Sequence, residues 1–534
     1  MMHESLDGVL PNGIVLPPDW PPATVDFGCS QPMRVPYLER PPAVIPIDLG
    51  RQLLLDDFLV QHTSMTRVFH QPVKHPCNPV LFPSEPHERP GNVPPCAVAK
   101  CGGVWHDPRD GRFKMWYMAG YGGVMCYAES GDGVHWVKPA LDVVPGTNQC
   151  LPPTFHPDSG TVWLDDHAAD GERFKMLFRE PNHHALARAG IERGNAPGLL
   201  MASPDGIHWG PPRPTGPMGD RSTLFFNPFR NRWVQSIRGG CPRGRCRRYF
   251  EHADFWQSGA WTAGQPVPWM TADCHDVAGD SLPQLYTLDA VAYESVLIGL
   301  FQILKGPPNH IGALRGEPKL TELVLGSSRD GFHWHRPDRR AFIGARREPG
   351  AWEFGYVEAS GGICLIVGDE LWFYYSAYAG EPSMRELGGI RNGMYGNGAV
   401  GLAKLRRDGF ASLQPRHAGG LLQTRPVRFS GTRLFVNAET AGSALRAAVL
   451  DETGHPLPGL GLDDSEPFIG NSTCAELRWR QPGALAAVGG RPVRLEFHLD
   501  QGALYAFWAS AAVDGRSGGY LAAGGPGLRG SRDD

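Results

Sequence analysis

Three turns of nearly identical sequence constrain this chain more than any other feature. They are Glu129-Ser-Gly-Asp-Gly-Val-His-Trp136, Ala202-Ser-Pro-Asp-Gly-Ile-His-Trp209 and Ser327-Ser-Arg-Asp-Gly-Phe-His-Trp334. Asp-Gly supplies the left-handed backbone of a tight turn, and the Trp beyond it is a large apolar plug. Two weaker copies, one at Asp254 with Trp256 and one at Asp408-Gly-Phe410, bring the series to five: Asp132, Asp205, Asp254, Asp330 and Asp408. An apolar strand precedes each turn: Phe113–Met118, Phe174–Phe178, Trp233–Ile237, Ser295–Phe301 and Leu371–Tyr375. A further strand and a polar turn lie before most of these. The repeating unit is therefore strand, polar turn, strand, Asp-Gly turn, Trp-bearing outer segment. Five such antiparallel sheets set radially make a five-bladed β-propeller. Five unrelated hairpins in a sandwich would not keep that order.

Composition agrees. The 534 residues include 68 Gly and 50 Pro, about twice the usual share of turn formers. With 15 Trp and 24 Phe, that balance points to short strands and tight turns rather than disorder, and away from a helical bundle. No Gly-X-Y period exists, which excludes collagen. Lys+Arg 51 against Asp+Glu 55 gives −4, without the basic excess of a nucleic-acid binder. The densest basic stretch, Arg238 to Arg248, sits among Gly, Cys and Pro and reads as a solvated loop. Cys96/Cys101 and Cys241/Cys246 are spaced C-x4-C but lack a second pair or a His at zinc spacing. Free buried thiols are expected, with no metal and no cofactor. No basic-then-apolar leader and no run of 18 apolar residues is visible, so the expectation is a cytoplasmic chain with no membrane partner.

The regions follow. Residues 1–50 are a Pro-rich arm, 51–415 the propeller, 416–512 a β-sandwich and 513–534 a flexible Gly-rich tail. The sandwich rests on alternating strands such as Leu445–Leu450, Val493–Phe497 and Leu504–Trp508. The predicted class is all-β: a five-bladed β-propeller followed by a C-terminal β-sandwich.

Local phrases add a resemblance. His75-Pro-Cys-Asn-Pro-Val80, Phe113-Lys-Met-Trp-Tyr117, the three Asp-Gly-x-His-Trp turns, Tyr293-Glu-Ser295 and Leu504-Tyr-Ala-Phe507 are similar to bacterial proteins of the glycoside hydrolase family 32 N-terminal-like kind. The likeness spans roughly residues 50–512. It does not extend to the invertase signatures: Trp-Met-Asn-Asp, Arg-Asp-Pro and a Glu-Cys pair are absent from their places. The resemblance implies a carbohydrate substrate and cleavage of an O-glycosyl bond, and leaves homo-oligomerisation open.

Glycoside cleavage needs two carboxyl groups, one protonated and one ionised. In a propeller they come from different blades, so acids at blade entrances are the candidates. Glu88, Asp220 and Glu353 are the expected catalytic set. Asp158, Asp273 and Glu358 stand at other entrances and are expected to bind substrate. Arg179 and Arg238, at the ends of second strands, are placed to clamp hydroxyls or a carboxylate. His310, on an inter-blade insertion, joins the binding set. Glu294 reads as a buried structural acid, and Trp105, Trp352 and Trp372 as core packing or sugar-stacking faces. Two other functions fit the same residues: a phosphorylase, with phosphate replacing water, and a non-catalytic carbohydrate-binding propeller.

Overall fold

The computed structural model describes residues 8–23, 25–181, 197–277, 281–387, 393–417 and 419–534. Five antiparallel blades are present. Blade 1 is Ala97–Asp107, Arg112–Ala119 and Val124–Ser130. Blade 2 is Ser159–Leu164, Phe174–Arg179, Pro197–Ser203 and Arg213–Pro217. Blade 3 is Thr223–Asn227, Arg232–Cys241, Gly244–His252 and Val267–Thr271. Blade 4 is Gln284–Glu294, Val296–Gly306 and Leu320–Ser328. Blade 5 is Gly355–Val367, Glu370–Tyr378 and Gly398–Arg406. The first strand of each blade abuts that of the next, and blade 5 returns to blade 1 at the parallel pairing of Gly361 with Gly103. Val73–Lys74, from ahead of blade 1, adds the outer strand of blade 5 and fastens the ring.

Blade strands are covered on both faces by neighbouring blades, so they read as nearly continuous apolar runs. Arg112–Ala119 is buried at every position after the first, and Glu370–Tyr378 likewise. Strands with one wet face alternate instead. Arg494–Leu499 does so, burying Leu495, Phe497 and Leu499.

The three Asp-Gly turns superimpose bond for bond. In the first, Asp132 Oδ1 accepts the Ser130 hydroxyl at 3.0 Å and the amides of Val134 and His135 at 2.8 Å; the Gly133 amide donates to Ser130 Oγ, and His135 Nδ1 lies 2.8 Å from Asp132 Oδ2. Asp205 and Asp330 repeat these contacts with Ser203 and His208 and with Ser328 and His333. The glycines take φ of 75°, 81° and 88°, where a Cβ is strained. Each turn also offers one carbonyl to an aromatic donor of the adjoining blade. Tyr374 Oη donates to Gly133 O at 2.6 Å, Trp116 Nε1 to Gly206 O at 2.6 Å and Trp269 Nε1 to Phe332 O at 2.8 Å. The repeat therefore staples blade to blade.

The second domain packs two sheets face to face. One runs Asn471–Leu477, Arg433–Glu439, Ala503–Ser510, Ala411–Pro415, Met65–Phe69, with Gln52–Leu53 against Ala503–Ser510; the other runs Leu445–Leu450, Arg494–Leu499, Gly420–Thr424, Val60–Thr63. Leu422, Val436, Val449, Phe497 and Phe507 fill the space between them. Two boundaries are thereby corrected. Residues 52–69 and Ala411–Pro415 belong to the sandwich, not the propeller, because their apolar faces complete its two sheets.

The C-terminal tail is not a loose extension. Tyr520–Leu521 pairs with Tyr293 and Glu294, the Ala523 amide donates to Cys364 O, and the His106 and Ile366 amides donate to Ala523 O and Gly524 O. The tail crosses the far ends of the first strands of blades 1, 4 and 5, and so covers the lower end of the channel. Glu294 is structural, as expected: it is buried against Arg51 at 3.4 Å and Arg407 at 3.3 Å, beside the Arg51–Asp408 pair at the domain junction. The N-terminal arm straps blade 4, with Tyr37 Oη donating to His333 O and Trp20 edge-on to Phe332.

Candidate functional site

Part-exposed acids and arginines gather at the end where first strands begin and second strands finish, here called the upper mouth. Asp158, just ahead of blade 2, is paired with Arg179 Nη1 at 2.9 Å and lies 4.0 Å from Lys100 Nζ of blade 1. Asp220, just ahead of blade 3, is paired with Arg238 Nη1 at 3.1 Å. These side chains are 23% (Asp158), 26% (Arg179), 33% (Asp220) and 28% (Arg238) exposed. Asp158, Arg179 and Arg238 thus stand part-exposed at one end of the blades, beside Asp220.

Behind them stands an aromatic wall. Tyr121 and Tyr395 stack at 3.9 Å, and Lys100 Nζ sits 4.7 Å over the Tyr121 ring. Lys319, 1% exposed, donates to Tyr286 Oη at 3.0 Å and lies over the rings of Tyr286 and Tyr356 at 4.7 and 4.5 Å. Tyr356 Oη meets Tyr286 Oη at 3.2 Å, and the Arg245 guanidinium also lies over Tyr286, at 4.8 Å. Burial alone would raise the Tyr286 phenol, but Lys319 and Arg245 outweigh it and bring it below its ordinary value.

Deeper in the channel, Arg221 Nη2 is 3.3 Å from the fully buried Glu358 of blade 5 and donates to Gln302 Oε1 at 3.2 Å. Arg247 is fully buried and donates to Ser236 Oγ and to the carbonyls of Arg221 and Tyr286. Asp289, buried on the first strand of blade 4, feels Arg221, Arg247 and Glu358; burial raises its carboxyl to about 6 in spite of the two arginines. Asp220 moves the other way. Burial works against its charge, but Arg238, Arg179, Arg245 and Arg221 together hold it below the ordinary carboxylate value. Arg221 and Tyr356 have φ of 60° and 53°, a conformation costing side-chain-bearing residues about 1–3 kcal/mol each. It is held by the Arg221 amide donating to Ser159 Oγ at 2.6 Å and the Tyr356 amide to Lys319 O at 2.7 Å.

The other expected site residues are engaged elsewhere. Glu88 is fully buried in blade 1, where it accepts Tyr117 Oη at 2.7 Å, Lys138 Nζ and the amides of Ser84 and Glu85. Glu353 accepts Tyr375 Oη at 2.6 Å and Lys74 Nζ at 2.9 Å, in a pocket of about 670 Å³ lined by His75 and Trp352 at the seam of blades 4 and 5. Neither shares a partner with Asp220, so Glu88, Asp220 and Glu353 are not brought together as one carboxyl set. Asp273 is locked between Arg336 and Arg339 at 2.7 and 2.9 Å, with Asp276 beside it. His310 lies exposed on the short helix Asn309–Arg315. Glu358 reaches the channel but as the buried partner of Arg221. Trp105 and Trp372 are core, packed on Trp163 and Phe113.

Sequence reasoning missed Lys100, Arg245, Tyr286, Asp289, Lys319 and Tyr356. The Arg238–Arg248 stretch is not a solvated loop. It is the hairpin of blade 3's second and third strands, with Arg238 opposite Arg247 and Gly240 opposite Arg245. Period-two alternation would have turned Arg245 and Arg247 to one face, had the segment been read as strand. Among the described residues no group of three His, Cys, Asp or Glu is placed to hold a metal ion, and no helix is long and apolar enough to cross a membrane.

No family model and no curated protein matches the chain, so the family 32 likeness rests on the motifs quoted above. Among solved structures, an N-acetylgalactosamine deacetylase from F. plautii in complex with blood group B trisaccharide is 13% identical over 65% of this chain and 97% of that one, at a TM-score of 0.42. A glycosyl hydrolase from Bacteroides ovatus is 13% identical over 67% and 97%, at 0.39. A thermostable family-43 glycoside hydrolase is 12% identical over 59% and 95%, at 0.37. Likeness at this level leaves the activity to the chemistry of the chain's own residues.

Proposed function

We propose that this chain cleaves glycosidic bonds at the upper mouth of the propeller, with Asp220 as the ionised carboxylate and Asp289 as the proton donor. One observation carries the reading: two acids at the neighbouring first strands of blades 3 and 4 have their proton affinities pushed in opposite directions. Paired carboxyls with separated affinities divide the acid and base roles of such a reaction. Burial makes the split: it outweighs Arg221 and Arg247 at Asp289, whereas four arginines outweigh it at Asp220. Asp158 with Arg179, both part-exposed, supply hydrogen bonds that hold the hydroxyls of a sugar ring.

The test is a panel of aryl glycosides with poor and good leaving groups. Asp220→Asn lowers kcat about 100-fold or more on every cleaved substrate. Asp289→Asn costs as much with poor leaving groups but little with good ones, which depart without protonation. The wild-type rate with poor leaving groups falls as pH rises through about 6, where Asp289 loses its proton, and Asp289→Asn removes that limb. A wild type that binds sugars and releases no aglycone from any of them ends the enzymatic reading.

A further inference from the structure

Among the described residues named here, the charges at the upper mouth do not balance. Lys100, Arg179, Arg221, Arg238, Arg245, Arg247 and Lys319 face or underlie it, against Asp158, Asp220, Asp289 and Glu358. Lys319 is buried with a phenol and aromatic rings around its ammonium, and no carboxylate ion pair to it is found among the described residues. A buried cation in such surroundings is costly until an anion joins it.

The hydrogen-bond inventory repeats the deficit. Arg179, Arg238 and Arg245 come from two second strands and one third strand, yet all three act on the Asp220 carboxylate. The buried Nε–H of each has no acceptor among the described residues. The contact of Arg238 with Asp220 is an ion pair lacking hydrogen-bond geometry, because Asp220 Oδ1 is also without a donor. Arg238 thus reaches Asp220 at 3.1 Å, Arg179 reaches Asp158 at 2.9 Å and Arg245 lies over Tyr286, each with an unused Nε–H, the kind of donor that planar oxyanions satisfy two bonds at a time.

We infer that the upper mouth binds an oxyanion, held by Arg179, Arg238 and Arg245 beside Asp220. Two sources share this chemistry: the carboxylate of an acidic sugar, and inorganic phosphate acting beside a neutral one. The inference rests on the proposed sugar-active site and names what that site selects.

Calorimetric titration of the full chain with D-glucuronate, D-glucose and inorganic phosphate tests it. Glucuronate binding at least about ten-fold tighter than glucose, weakened by added salt, assigns the oxyanion to the sugar. Phosphate binding in the micromolar to millimolar range, with no preference for glucuronate over glucose, assigns it to free phosphate. Equal binding of glucuronate and glucose together with no phosphate heat overturns the inference. Arg245→Gln and Arg179→Gln each reduce anion binding about ten-fold or more; if either variant fails to fold, the salt dependence of wild-type binding decides the same question. The two readings fail separately. Cleavage of neutral glycosides without anion binding sinks only this one, whereas anion binding without any cleavage sinks only the enzymatic assignment.

Discussion

The Asp-Gly turns and the channel mouth use the same residue types to opposite ends. At Asp132, Asp205 and Asp330 both carboxylate oxygens are engaged by donors from within the same short segment. At Asp220 the carboxylate lies among four arginines and Oδ1 accepts no hydrogen bond from any of them. A satisfied carboxylate is architecture: its bonds are worth most when nothing disturbs them. An unsatisfied one, kept charged by arginines of which Arg179, Arg238 and Arg245 each have an Nε–H with no acceptor among the described residues, can take up new bonds without first breaking old ones. Saturation of hydrogen bonds, more than residue identity, separates the two regions.

That contrast can be broken from either side. The largest effect belongs to Asp220→Asn, which removes about 100-fold or more from kcat while thermal unfolding stays cooperative; a chain that keeps its rate moves Asp220 out of the chemistry. Next comes Gly206→Ala in the second turn. Its φ of 81° and a Cβ falling 2.4 Å from the Trp116 ring combine left-handed strain with overpacking, for roughly 2–5 kcal/mol of lost stability. Activity per folded molecule stays at the wild-type level, measured after correction for the unfolded fraction. Trp116→Phe is smaller. It leaves the Gly206 carbonyl without its 2.6 Å donor between blades 1 and 2, at about 1–3 kcal/mol by denaturant unfolding.

The smallest effect is on pH dependence. Hydrogen bonds donated to Asp205 and Asp142 raise the affinity of His208 for its proton. A raised folded-state value means the folded chain holds this proton more tightly, so the added stability is fully present below about pH 6.5 and is lost as pH rises through the elevated value. His208 is about half exposed, so solvent screening keeps the contribution small. Wild type and His208→Gln therefore differ in unfolding temperature most in mild acid and converge in alkali. A difference that grows with pH reverses the assigned sign.

Much of the propeller was legible because its signals are local. An Asp-Gly pair needs only its own neighbours to form a turn, and a strand buried on both faces declares itself as an apolar run. The placement of Arg179 and Arg238 on second strands was also legible, because apolar runs mark those strands. The surroundings of Glu88, Asp220 and Glu353 were not legible. All three stand near blade entrances, and sequence position does not tell which acid meets a Tyr and a Lys and which meets arginines. Residues 52–69 were assigned to the wrong domain because their partners, such as Gln414 opposite Thr66 and Leu422 opposite Thr63, lie hundreds of residues away.

The sequence by itself determined the five turns, the strands between them and the all-β class, since those depend on φ, side-chain period and burial within a few residues. Only the tertiary structure decided which charges would meet. Closure of the ring set Arg221 of blade 3 against Glu358 of blade 5, Asp289 beside both, and Lys319 beneath Tyr286. Electrostatic partners are chosen by distance in space, and in a radial fold that distance is fixed by the closure of the whole ring rather than by any one segment of chain.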